Sequence, residues 1–168
     1  NSTVATIPVG RGPVAVAFTP DGTRAYVTNQ QDFFISVIDT ATSAVVTTIP
    51  VSGSAGIAIT PNGARAYATS PGQGTVSVID TATNNVVATI SLGANQNPFG
   101  IAITPDGSRV YVTINALNQV VVISTATNTV VATIPVGQRP TAVAITPDGS
   151  RAYVTNNGSN TVSVINTA

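Results

Sequence analysis

Apolar residues in this chain fall in short runs separated by brief polar strings, and the runs recur in one order. VAVAF (Val14 to Phe18) is followed by RAYVT from Arg24, ISVI from Ile35 and VVTTIPV from Val45. Runs of this length, rich in Val, Ile and Thr, predict β-strands, and no segment carries the i, i+3, i+4 spacing of an amphipathic helix. They are close to continuous rather than strictly alternating, which predicts sheets covered on both faces. Between the first and second runs, Pro-Asp-Gly predicts a tight turn, with Pro presetting φ and Gly accepting a positive φ. Between the third and fourth runs, Asp-Thr-Ala-Thr predicts a polar turn in which Asp39 or Asp80 bonds its own backbone.

The same order returns four times. TPDGTRAYVTN from Thr19, TPNGARAYATS from Thr60, TPDGSRVYVTI from Thr104 and TPDGSRAYVTN from Thr146 place their prolines 41, 44 and 42 residues apart. VIDTATSAVVTTI, VIDTATNNVVATI and VISTATNTVVATI follow the first three, and VINTA the fourth. Four short antiparallel strands per unit of about 42 residues is the pattern of a propeller blade. The expected fold is therefore an all-β propeller in a single domain over 1–168. Its repeats lie at about 11–51, 52–92 and 93–136, the fourth combining 137–168 with 1–10.

The fourth repeat is split across the ends. TVSVINTA (Thr161 to Ala168) read on into NSTVATIPVG (Asn1 to Gly10) reproduces TVSVIDTATNNVVATISLG (Thr75 to Gly93), one residue short. An N-terminal strand, from the same chain or a neighbouring one, is thus expected to complete the last blade. A closed four-bladed ring would need sharply wedged blades, and an open arc would expose an apolar sheet face at each end. Head-to-tail joining covers that face and gives an eight-bladed homodimer, or a filament if the rotation does not close. Thr3, Val4, Ala5, Thr6 and Ile7 are the expected strand-exchange residues, against Val162 and Val164.

Tyr26-Val27-Thr28-Asn29, repeated at Tyr153 to Asn156 and loosely at Tyr67 and Tyr111, resembles the YVTN family of β-propeller repeats, as do the TPDG and VIDTATN strings. The resemblance implies propeller blades, a ring typically of seven, and an extracellular or surface-layer setting. This chain holds four.

Composition narrows the chemistry. Only 7% of residues are charged, the six basic ones all Arg and the six acidic ones all Asp, and the formal net charge is zero. Without Lys or Glu the chain lacks the usual dressing of exposed helices. Scattered Arg and zero net charge give no nucleic-acid footprint, and no apolar run approaches the roughly 20 residues of a membrane span. No signal peptide stands in the sequence, and a surface of Thr, Ser and Asn suggests an extracellular or cell-surface protein.

The absence of His, Cys and Glu removes imidazole acid–base and thiol chemistry. Propeller lactonases resemble this fold, but as a family they use metal-binding Glu and His. A non-enzymatic protein with no catalytic residue, no cofactor and no metal is the expectation. Asp21, Asp106 and Asp148 sit in Pro-Asp-Gly turns, and Arg24, Arg65, Arg109 and Arg151 stand just before every repeat tyrosine, so a blade-to-turn hydrogen bond or an ion pair with a turn aspartate is expected of each arginine. Asp32 alone stands outside the repeat. The links between blades and the loops between second and third strands should share one face. Arg11, Asp32, Phe33, Asn97 and Arg139 on that face are the candidate surface for a glycan or protein ligand. Asn157-Gly158-Ser159 and Asn1-Ser2-Thr3 are sequons, Asn157 being the better glycan acceptor if the chain is exported. A scaffold for head-to-tail assembly is the first functional expectation, and a lectin-like or docking module the alternative.

Overall fold

The computed structural model describes residues 1–168. Blade 1 holds β1 (Pro13–Phe18), β2 (Arg24–Asn29), β3 (Ile35–Asp39) and β4 (Ala44–Ile49). Blade 2 holds β5 (Ile57–Ile59), β6 (Arg65–Ser70), β7 (Thr75–Asp80) and β8 (Asn85–Ser91). Blade 3 holds β9 (Pro98–Ile103), β10 (Arg109–Ile114), β11 (Gln119–Ser124) and β12 (Thr129–Pro135). Blade 4 has three strands, β13 (Pro140–Ile145), β14 (Arg151–Asn156) and β15 (Thr161–Asn166). Each sheet is antiparallel in sequence order, and the only helical element is a single 3-10 turn at Pro71–Gln73. The chain is the all-β propeller its repeats imply.

Each blade's first strand is the inner one, because β1 touches β5, β5 touches β9 and β9 touches β13. The Pro-Asp-Gly turn, Pro-Asn-Gly in blade 2, works as its residues dictate. Gly22, Gly63, Gly107 and Gly149 hold φ of 71, 73, 74 and 72°, which a side chain would strain. The turn carboxylate closes the loop, Asp106 Oδ1 accepting from the Ser108 amide at 3.0 Å and from the Thr104 hydroxyl at 2.5 Å. The second polar turn behaves alike: Asp80 accepts from the Thr83 amide at 3.0 Å and pairs with Arg65 at 2.6 Å. Arg24 pairs with Asp39 in the same way. Blade 3 has Ser124 in place of the aspartate, and Arg109 donates instead to the Thr167 carbonyl of blade 4 at 2.8 Å.

The core is three seams between blades rather than one centre. Tyr26, Ile35, Val37 and Ile49 of blade 1 pack on Ile57, Ala66, Ala68 and Ile79 of blade 2. Tyr67, Val76 and Val78 pack likewise on blade 3, and Tyr111, Val120 and Val122 on blade 4. Polar contacts keep the seams in register. Tyr26 donates to Asn84 Oδ1 at 2.7 Å and Tyr67 to Asn128 Oδ1 at 2.9 Å. Thr28 donates to the Ala55 carbonyl at 2.6 Å and Thr69 to that of Phe99 at 2.8 Å. Gly56 and Gly100 make this closeness possible, since a Cβ there would stand 2.4 Å from the carbonyl oxygens of Phe99 and Thr141.

The arc does not close on itself. Asn1 to Val9 form no strand, and the fourth sheet keeps three strands, so the chain's own N-terminal segment does not complete blade 4. Ends of an open arc are half-covered, and burial reports it. β7 and β11 are buried on both faces, whereas β14 alternates exposed and buried.

Hydrogen bonds from Thr146, Ser150, Thr104 and Ser108 hold the carboxyls of Asp148 and Asp106 down at about 2. An unfolded aspartate titrates near 3.9, so these turns contribute stability above about pH 4 that is lost as pH falls toward about 2. Thermal unfolding should hold steady from pH 6 to about 4.5 and then decline. The Asp106→Asn, Asp148→Asn double variant should show a shallower decline over the same window.

Candidate functional site

Links between blades and the β2–β3, β6–β7, β10–β11 and β14–β15 loops gather on one side of the arc. The amide of Gly53 in the link after β4 donates to the Asp32 carbonyl in the β2–β3 loop at 3.1 Å. Val136, after β12, does the same to Asn118 at 2.9 Å. The invariant turns lie at the other ends of these strands, as strand alternation requires.

Two of the expected surface residues meet. Arg11 Nε lies 2.9 Å from Asp32 Oδ1, and the Arg11 amide donates to Asp32 Oδ2 at 2.6 Å. These bonds, the backbone one foremost, hold the Asp32 carboxyl below its ordinary range. Asp32 therefore clamps the link leading into β1. Phe33, beside it, is exposed. Asn97 sits on the link into β9 with φ of 52°, its carbonyl taking the Asn115 amide at 3.2 Å. Arg139, with φ of 50°, donates its amide to Asn118 Oδ1 at 2.9 Å on the link into β13, and its side chain runs along Gly158. Asn157, exposed, donates its amide to the Arg139 carbonyl at 3.1 Å. The binding candidates share a face, but Arg11, Asn97 and Arg139 stand on three different links, and among the five only Arg11 and Asp32 are hydrogen-bonded to each other.

Two concave surfaces were not singled out by side-chain type. A groove of about 570 Å³ between blades 1 and 2 is lined by Ser52, Ser70, Gln73, Thr75 and Asn85. Its one legible signal is the divergent loop at Pro71–Gly74. A second, apolar hollow of about 260 Å³ is shared by all four inner strands, with Ala15, Gly56, Gly100 and Ala142 on its wall. No three carboxylates converge anywhere on the chain, and no helix is long and apolar enough to cross a membrane.

The two ends of the arc are also uncovered. Tyr153, Val162 and Val164 of blade 4 hold the repeat positions of Tyr26, Ile35 and Val37. Those three are 0% exposed in blade 1, whereas the blade 4 residues are 41, 56 and 53% exposed. At the other end Val14, Val16 and Phe18 are exposed, although Ala55 and Ile57, the counterparts of Val14 and Val16, are buried. Each end is one half of an internal seam.

The family model for the seven-bladed β-propeller lactonases matches residues 2–130 and 39–168. The chain therefore belongs to that lactonase β-propeller family. No match was found among curated proteins. Among solved structures it is similar to Kuenenia stuttgartiensis hydrazine synthase, at 27% identity and a TM-score of 0.87 over 99% of this chain and 49% of that one. It is also similar to a functionally unknown protein from Desulfotomaculum acetoxidans, at 24% identity and a TM-score of 0.77 over 91% of this chain and 55% of the other. A candidate 6-phosphogluconolactonase from Bacteroides uniformis aligns at 21% identity with a TM-score of 0.82, over 92% and 50% of the two chains. The chain spans about half the length of these structures.

The family match corrects the expectation of a protein that is not an enzyme. That expectation weighed the missing His, Glu and Cys and the placement of the aspartates in structural turns. Side-chain inventory excludes particular chemistries, whereas membership follows from the whole repeat scaffold, which here is that of a hydrolase family.

Asp32→Ala should free the Arg11 link while leaving the blades intact. Amide exchange at Arg11 is expected to quicken about tenfold, with the Arg139 amide unchanged, in residue-resolved hydrogen exchange.

Proposed function

We propose that this chain is an assembly module, an arc of lactonase-type blades that joins head to tail with a second copy. The observation that carries the reading is the exposed apolar end faces, each matching one side of a seam the chain already builds. Contiguous apolar surface on this scale is a partner-binding feature in soluble proteins. Further repeat contacts have open counterparts at the ends. Gly63, Gly107 and Gly149 lie against Pro20, Pro61 and Pro105 of the preceding blade, while Gly22 meets nothing and stands ready for Pro147 of another copy. Thr28 and Thr69 bond carbonyls at the repeat position of Val14, so Thr155 would bond the Val14 carbonyl across the joint. Two copies give eight blades, one more than the family's seven. A filament is the open form of the same heterologous contact. The link-and-loop face, with Arg11, Phe33 and Arg139, would present a glycan or protein ligand site on the completed ring.

Sedimentation tests the assembly. The protein should run at twice its 16.8 kDa chain mass or grow with concentration, and Val164→Asp should leave a folded monomer. A wild-type monomer at every concentration rejects the reading.

The family match favours a second reading, in which the assembled ring hydrolyses a lactone. Hydrolysis adds water across the ester and releases one proton from the new carboxylic acid, so pH-stat titration reads it directly. Proton release above the spontaneous rate supports this reading, and its absence in the assembled protein rejects it.

A further inference from the structure

We infer that residues Ser2 to Val9 of one copy form the fourth strand of blade 4 of another, added to the outer edge of β15. This rests on the head-to-tail reading and goes beyond it, since apolar end faces alone would join without exchanging a strand. Three observations converge. β15 is the third strand of its sheet and its outer edge is unpaired, whereas β3, β7 and β11 each carry a fourth strand. Residues 1–9 form no strand in their own chain, and Val4 is 97% exposed. The segment has the residues of a fourth strand: Thr3-Val4-Ala5-Thr6-Ile7 matches Val86-Val87-Ala88-Thr89-Ile90 of β8 and Val130-Val131-Ala132-Thr133-Ile134 of β12.

The register follows from the complete blades. β7 and β8 pair Val76 with Ile90, Ser77 with Thr89, Val78 with Ala88 and, past a bulge, Ile79 with Val86. β11 and β12 repeat it with Val120–Ile134, Val121–Thr133, Val122–Ala132 and Ile123–Val130. Carried to β15, Val162 faces Ile7, Ser163 faces Thr6, Val164 faces Ala5 and Ile165 faces Thr3. Ile7 then takes the place of Ile49 and Ile90, both buried in seams.

A side-chain contact supports the register. The Tyr26 and Tyr67 hydroxyls donate to Asn84 and Asn128, which hold φ of 57 and 54° at the start of the fourth-strand segment. Tyr111 is buried in the third seam and donates no hydrogen bond within the chain. The residue that the register sets in its reach is Asn1 of the added strand. Asparagine is the side chain that best tolerates the left-handed backbone there.

The chain has no cysteine, so a paired substitution gives an unambiguous readout. Thr6→Cys with Ser163→Cys places two thiols directly opposite across the joint. Under mild oxidation nearly all of the protein is expected to run as covalent dimer, or as a ladder if the joint propagates. Thr6→Cys with Val164→Cys, whose side chains point to opposite faces of the sheet, should cross-link at least tenfold less. A covalent monomer overturns the inference, because it places the strand within its own chain. A protein that sediments as a dimer yet does not cross-link also overturns it, while leaving end-face association standing. A wild-type protein that sediments only as monomer removes both. Amides of Thr3, Ala5 and Ile7 should also become protected on assembly, and free exchange in a dimer counts against strand addition.

Discussion

Everything in this chain depends on the seam where one blade's Tyr and Val side chains meet the small and branched residues of the next. A single four-stranded sheet of this composition has apolar side chains on both faces and no means of covering either. Stacking solves that for each inner blade, and the buried tyrosines and valines of the three clusters are the result. The same physics leaves the arc with a debt at each end. Tyr153, Val162 and Val164 are chemically the residues that make the other seams, and they are exposed because no neighbouring blade of the arc covers them.

The polar residues of the seams set geometry more than strength. A threonine hydroxyl reaching the next inner strand's carbonyl, and a tyrosine hydroxyl reaching an asparagine on the next outer turn, fix the two ends of blades 1 and 2 against the blade that follows. Hydrophobic contact is non-directional and would tolerate sliding, whereas these bonds and the carbonyl-tight glycines Gly56 and Gly100 would not. This is why the repeats keep Thr and Tyr where apolar residues of similar size would bury equally well.

Most of the strand order was legible because period and turn chemistry are local. TPDG, or TPNG in blade 2, demanded a tight turn with a positive φ at its glycine, and all four glycines hold it. Arg24 and Arg65 were readable as partners of turn aspartates for the same reason, since cross-strand register places them opposite Asp39 and Asp80. The loop face was harder. Asp32 could be marked as the aspartate outside the repeat, but its pairing with Arg11, 21 residues away, needs the fold. The polar groove between blades 1 and 2 is contributed by ordinary Ser, Thr and Asn residues of separate strands, which no local string distinguishes. Residue inventory pointed away from an enzyme family, because it weighs side chains one at a time whereas family membership follows from the whole repeat scaffold.

By itself the sequence determined strands, turns and the repetition that makes each blade a copy of the last, because these follow from backbone sterics and side-chain pattern within about forty residues. It could not determine which copies of one motif are covered. Tyr26 and Tyr153 stand in the same RAY string, yet one is sealed and the other open. Arg109 differs from Arg65 in turning to a neighbouring blade's carbonyl, because Ser124 replaces the aspartate and Thr167 happens to lie within reach. Burial is a property of what stands next to a sheet, and only the tertiary structure supplies the neighbour.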